Sequence, residues 1–280
     1  MSNAQLPLYS GTLQANGIKI SYHRTGGDKP PLVLAHGLTD MGLCWLRLAS
    51  SLSHKYDVVM YDARGHGDSD APETGHEPEN RAEDLFGLVE GLKLESPRLL
   101  GHSLGAMTVA LFAAKCPGRA RSVVLEDPPL PNQLDREPTA EQRTAWQKGW
   151  NDWRDAAAIR TGQSCAELQQ ICRRQSPLWH DLEISPWAEA KTKTSPHVFE
   201  IPNLTEHKWW QCLPKLECAT LLLSADIKRG ALMTAAAEVY LREFCPEVVT
   251  LVRLQGAGHN IHRDNFDRFI SLVSDFFARN

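Results

Sequence analysis

Arg98-Leu99-Leu100-Gly101-His102-Ser103-Leu104-Gly105-Ala106-Met107-Thr108-Val109-Ala110-Leu111 is the stretch on which the fold turns. It runs from a short apolar strand, through a turn, into an apolar helix expected over Leu104–Lys115. The turn carries Gly-x-Ser-x-Gly. A serine on so sharp a strand-to-helix turn is crowded by backbone on both sides, and glycine tolerates that crowding. The turn exposes the Ser103 hydroxyl at the C-terminal edge of a sheet. It also sets the Leu104 N–H at a helix start, where it can meet a developing negative charge. Ser103 is therefore the candidate nucleophile.

Working outward, strand and helix signals alternate. Gly17–His23 alternates like a half-exposed strand. Leu32–Ala35, Val58–Tyr61 and Ser122–Leu125 are short apolar runs, with helical spacing over Trp45–Leu52 and Arg81–Leu92. Apolar strands alternating with helices predict a mostly parallel sheet flanked by helices, an α/β class. The pattern changes from about Pro128 to Pro214, which is helical and holds seven of the 8 tryptophans. Trp146, Trp150 and Trp153 are spaced to share one helix face. That face either packs onto the main domain or, with Trp179 and Trp187, lines an apolar substrate pocket. Sheet signal returns at Thr220–Ser224 and Val248–Leu254, and an amphipathic helix closes the chain over about Asn265–Ala278. The expected organisation is a core domain of residues 1–128 and 215–280, with a helical insertion at 129–214.

The whole chain bounds its partners. It has 280 residues, 42% hydrophobic, and a formal net charge of -4 spread without blocks. No basic stripe points to nucleic acid. No apolar run approaches the roughly 18 residues of a membrane span. Met1–Gly11 has neither the basic nor the apolar part of a secretory leader. The 7 cysteines are scattered, odd in number and form no CxxC pair. Free thiols in a reducing, cytoplasmic setting are expected, without a metal or other cofactor. The expected partner is a small-molecule substrate; the oligomeric state is not legible.

Two further loops complete the chemistry. His36-Gly37-Leu38 follows the strand Leu32–Ala35, so its backbone amides reach the same sheet edge as Ser103. The Leu38 N–H is the candidate second oxyanion donor beside Leu104, with His36 as a brace of the loop. Gly256-Ala257-Gly258-His259-Asn260 follows the last strand, and flanking glycines let the loop carry an imidazole over the sheet edge. His259 is the candidate general base. His262, where the next helix begins, is expected to pack or hydrogen-bond.

These residues together resemble the α/β-hydrolase fold superfamily, in its cap-containing serine esterase or lactonase form. Asp62-Ala63-Arg64-Gly65-His66-Gly67-Asp68-Ser69 is similar to that family's D-x-R-G-x-G-x-S loop, with bracing roles implied for Asp62 and Arg64. The family's usual acid lies a few residues after the strand that is Leu221–Leu223 here, but that position holds Lys228. The resemblance offers an alternative at the end of the preceding sheet strand, 24 positions after Ser103, which is Asp127. Asp127 is the preferred third triad member, with Asp226 and Glu126 as alternatives. Strand alternation turns Glu126 and Asp127 to opposite faces, so one of them is expected to meet His259. The implied activity is cofactor-free hydrolysis of an ester or lactone of a small, apolar substrate through an acyl-enzyme. Alternatives are C–C bond hydrolysis or perhydrolysis on the same triad, or a receptor-like ligand-binding role with little turnover.

Overall fold

The computed structural model describes residues 6–130, 139–199, 208–245 and 249–280. Eight strands form one sheet: β1 Tyr9–Ala15, β2 Ile18–Arg24, β3 Pro31–Ala35, β4 Asp57–Tyr61, β5 Arg98–His102, β6 Ser122–Glu126, β7 Ala219–Ser224 and β8 Val249–Arg253. Their order is β1-β2-β4-β3-β5-β6-β7-β8. The β1/β2 and β2/β4 pairings are antiparallel, and all others are parallel. The helices are α1 Leu46–Leu52, α2 Pro78–Gly91, α3 Leu104–Lys115, α4 Ala140–Thr161, α5 Cys165–Gln175, α6 Asp181–Thr192, α7 Ala235–Phe244, α8 Ile261–Asp264 and α9 Phe266–Arg279.

The period of two along the central strands divides the core into two layers. Val33, Val59, Leu99, Val123 and Leu222 face one side and pack with residues of α2 and α3. Leu32, Leu34, Val58, Met60, Leu100, Val124, Leu221 and Leu223 face the other, against α1 and α9. Burying each such side chain is worth about 1.5–3 kcal/mol. On α9 the buried positions are Phe269, Val273 and Phe277, one stripe of an amphipathic helix. By contrast α3 is buried on all sides from Leu104 to Ala113, as befits the helix that the sheet's central turn feeds.

Two elements were not anticipated. In β1 most residues are partly or fully exposed, so its sequence lacks an apolar run. Helix α7 buries only Ala237 and Leu241. Between β6 and β7 the chain forms α4, α5 and α6, with α5 and α6 packing through Leu168, Cys172, Ile184, Trp187 and Ala188. Of the expected tryptophan face, Trp150 is half-buried and its indole donates to the Phe199 carbonyl at 2.9 Å. The side chain of Trp146, like Val248 of the last expected strand, lies outside the described residues. Trp209 and Trp210 belong to the main core. Among the described residues no helix is long and apolar enough to cross a membrane.

Candidate active site

Ser103 sits between β5 and α3 with φ 54 and ψ -116. A non-glycine residue held there costs about 1–3 kcal/mol, so its surroundings must impose it. They do: the Ser103 N–H donates to the Glu126 carbonyl of β6 at 2.9 Å, and the Ser103 carbonyl accepts from Ala106 at 3.0 Å. A Cβ on Gly101 would come 2.2 Å from the Gly105 carbonyl oxygen, and one on Gly105 would come 2.2 Å from that of Ala35. Both glycines of the motif are thus demanded by backbone contact.

The loop after β3 lies beside this turn. His36 accepts the Ala63 N–H on Nε2 at 3.0 Å, which leaves the proton on Nδ1, facing the Gly37 carbonyl at 2.8 Å. Burial lowers the His36 pKa and keeps the ring neutral, as this tautomer requires. The Gly37 carbonyl is one side of the peptide whose other side is the Leu38 N–H. Fixing that carbonyl therefore fixes the direction of the amide, since the two point oppositely across a trans peptide. His66 Nε2 contacts the Leu38 carbonyl and holds the next peptide. Behind the loop, Asp62 accepts the Gly42 and Asp68 amides at 2.8 and 3.0 Å, and Arg64 pairs with Asp84 through two bonds.

His259 Nδ1 donates to Asp127 Oδ2 at 2.7 Å. Asp127, at the end of β6, has φ 39, a turn that no strand pattern anticipates. Its carboxylate also accepts the Ala225 N–H at 3.1 Å and the Leu232 N–H at 2.9 Å, so it is anchored to two other segments. The other two carboxylates go elsewhere. Glu126 accepts the backbone N–H of His262 at 2.8 Å and its Nδ1 at 2.8 and 2.9 Å. Asp226 accepts the Lys228 and Gly256 amides at 2.9 Å each, bracing the loop that leads to His259 rather than touching its ring.

Comparison with known proteins gives the family. The model of the alpha/beta hydrolase fold family matches residues 30–266. The chain belongs to the α/β-hydrolase family. It is 30% identical over 271 residues to N-formylmaleamate deformylase of Pseudomonas putida, covering 95% of each protein. It is 40% identical over 104 residues to 2-(acetamidomethylene)succinate hydrolase of Mesorhizobium japonicum, covering 37% of each. A crystal structure of E-2-(acetamidomethylene)succinate hydrolase superposes with a TM-score of 0.76 at 21% identity, covering 97% of this chain and 100% of that one, a likeness of fold.

In this α/β-hydrolase Ser103, His259, Gly37 and Leu38 share the wall of one cavity of about 280 Å³. That is just below the usual range of small-molecule sites, about 300–1,000 Å³. Trp153, Trp179 and Trp187 all line it, from α4, the segment before α6, and α6. The rest of the wall is more polar than three tryptophans suggest: Asp40, Arg160, Gln175, Lys191, Asn260 and Arg263 also contribute. Sequence reasoning did not single out any of these, nor His102, the variable position of the Gly-x-Ser-x-Gly motif. His102 Nε2 donates to the His259 carbonyl at 3.0 Å, and the two rings lie 4.5 Å apart. Burial pushes its pKa down to about 3, so it acts as a neutral strut. Its place beside Ser103 was the available signal. Asp40, Lys191 and Arg263 come from three distant segments and had none. Among the described residues no cluster of His, Cys, Asp and Glu offers a metal site.

Proposed function

We propose that the protein is a serine hydrolase that cleaves a carboxylic acyl bond of a small substrate through an acyl-enzyme on Ser103. The observation that carries this is the 2.7 Å bond from His259 Nδ1 to the wholly buried Asp127. With the Nδ1 proton committed to Asp127, the lone pair of Nε2 is the one left to take the Ser103 proton. Ser103 Oγ attacks the substrate carbonyl as that proton leaves. The Leu38 and Leu104 amides receive the oxyanion, and the Asp127 carboxylate stabilises the imidazolium. His259 then protonates the leaving group. Water, activated by the same imidazole, releases the acid from Ser103 and restores the enzyme.

The helices α4, α5 and α6 between β6 and β7 serve as a cap that brings Trp153, Trp179 and Trp187 into the cavity wall with Ser103. Esters and lactones suit this machinery. The relatives named for N-formylmaleamate and for 2-(acetamidomethylene)succinate extend the reading to amides, because the leaving group is protonated by His259 in either case. The test is turnover of 4-nitrophenyl esters by the wild type and by Ser103→Ala. Loss of at least about 10⁴-fold in kcat is expected. Retention of full activity in the variant contradicts the proposal, and peroxide-dependent halogenation without ester cleavage would replace it with perhydrolysis.

A further inference from the structure

We propose that the substrate carries a carboxylate and that Arg160, in the last turn of α4, is the residue that anchors it. The inference rests on the serine-hydrolase reading for its choice of cavity. The charged side chains lining that cavity are Arg160, Lys191, Arg263 and Asp40, three cations against one carboxylate.

The three cations differ in what they have left to offer. Lys191 Nζ already donates to the Thr39 carbonyl, to Thr39 Oγ1 at 2.8 Å and to Asp40 Oδ1 at 3.2 Å. An ammonium has three N–H bonds, so Lys191 supplies charge and no further donor. Arg263 spends Nη2 on Asp40 Oδ2 at 3.0 Å and Nη1 on Asn260 Oδ1 at 3.0 Å, while its buried Nε has no partner. Arg160 is half-buried, lines the cavity, and pairs with nothing among the described residues. Burial alone would raise the Asp40 carboxyl, but Arg263 and Lys191 outweigh it and hold that group well below the ordinary carboxylate range. Asp40 is therefore one full negative charge shared by two cations, and Arg160 is left over. A guanidinium presents a planar fork that matches a carboxylate. Trp153, two helical turns before Arg160 on α4, and Trp179, whose ring lies 4.8 Å from the Arg263 guanidinium, share the cavity wall with these cations.

An arginine in a helix's last turn also complements the helix dipole, a role that needs only a positive charge. The test separates the two. It compares kcat/KM for two matched pairs of esters, each normalised to its hydroxide-catalysed rate. One pair is 4-nitrophenyl hydrogen adipate and its neutral methyl ester, with the charge on the acyl half. The other is 3-acetoxybenzoate and its methyl ester, with the charge on the leaving half. Binding of adipate to the full chain is measured in parallel by calorimetry.

For the wild type, the charged member of at least one pair should be preferred by about tenfold or more. In Arg160→Gln the charged-to-neutral ratio should fall about 10- to 100-fold, through KM, with adipate binding weakened to match. Arg160→Lys should be intermediate, because it keeps the charge and loses the fork. Ester turnover without charge preference, together with no adipate binding or binding indifferent to Arg160→Gln, overturns the inference and spares the hydrolase reading. No ester turnover, with adipate binding that depends on Arg160, overturns the hydrolase reading and leaves the carboxylate site standing.

Discussion

Glu126 and Asp127 are consecutive carboxylates at the end of β6, both wholly buried and both bonded to a histidine from the same late segment. Their surroundings separate them. Asp127 accepts from three segments: the His259 ring and the amides of Ala225 and Leu232. Among the described residues the Glu126 carboxylate accepts from His262 alone, by ring and backbone. The imidazoles differ at their far ends too. The His259 side chain is 24% exposed and borders the cavity, whereas that of His262 is 3% exposed, lies 4.4 Å from Trp45, and has a buried Nε2 without a partner. The same acid–imidazole pair is therefore placed once at an open site and once in the core. What suits His259 rather than His262 to the proposed role of general base is the access of its second nitrogen, not the carboxylate behind it.

Substitution at the two carboxylates should break this symmetry most visibly. Asp127→Asn removes the acceptor that fixes the His259 tautomer, and kcat should fall about 10³- to 10⁴-fold. Glu126→Gln keeps an acceptor for the His262 amide, and kcat should stay within about tenfold while the melting temperature drops. Steady-state kinetics on a 4-nitrophenyl ester, with thermal melts of each variant, checks both.

The second effect is on stability against pH. Burial pushes His102 and His262 down to about 3 from an ordinary 6.5. Between those values the unfolded chain binds protons that the folded one refuses, so stability is full above about pH 6.5 and falls as pH drops towards 3. Glu126, pushed up by burial to about 7 from 4.5, works the other way. It holds a proton in the folded chain that the unfolded chain releases, so its contribution falls as pH rises from 4.5 to 7. His36 and His66, also lowered by burial, add to His102 and His262 against the one carboxyl, so melting temperature should decline from pH 7 to pH 4. His262→Gln should flatten that decline and Glu126→Gln should steepen it. The smallest effect belongs to Asp226→Asn: a half-buried loop brace that keeps one acceptor should cost less than about threefold in kcat.

How much of this was legible in the sequence follows the range of each interaction. Ser103, the Leu104 amide and the Gly37-Leu38 loop are local consequences of turns at strand ends, and their residues announce them. His259 is announced by its flanking glycines. The choice between Glu126 and Asp127 was harder, because alternation tells only that the two face apart. The positive φ of Asp127 turns its side chain towards β7 and the His259 loop, and no residue type in that strand signals it. The Lys228 position did signal that the late acid was missing. The cations of the cavity wall were invisible for a different reason: residues 160, 191 and 263 meet only through the packing of α4, α6 and α8. The same holds for the exposed edge strand β1, which earns its place by backbone pairing with β2 rather than by apolar burial.

The most direct measurement is the rate and site of phosphonylation by a fluorophosphonate in the wild type, Asp127→Asn and Glu126→Gln, followed by intact mass and peptide mapping. The account predicts a single adduct on Ser103, formed about 10³-fold more slowly in Asp127→Asn and within about tenfold of wild type in Glu126→Gln. An adduct on another residue, or a rate that collapses in Glu126→Gln and survives in Asp127→Asn, would contradict it.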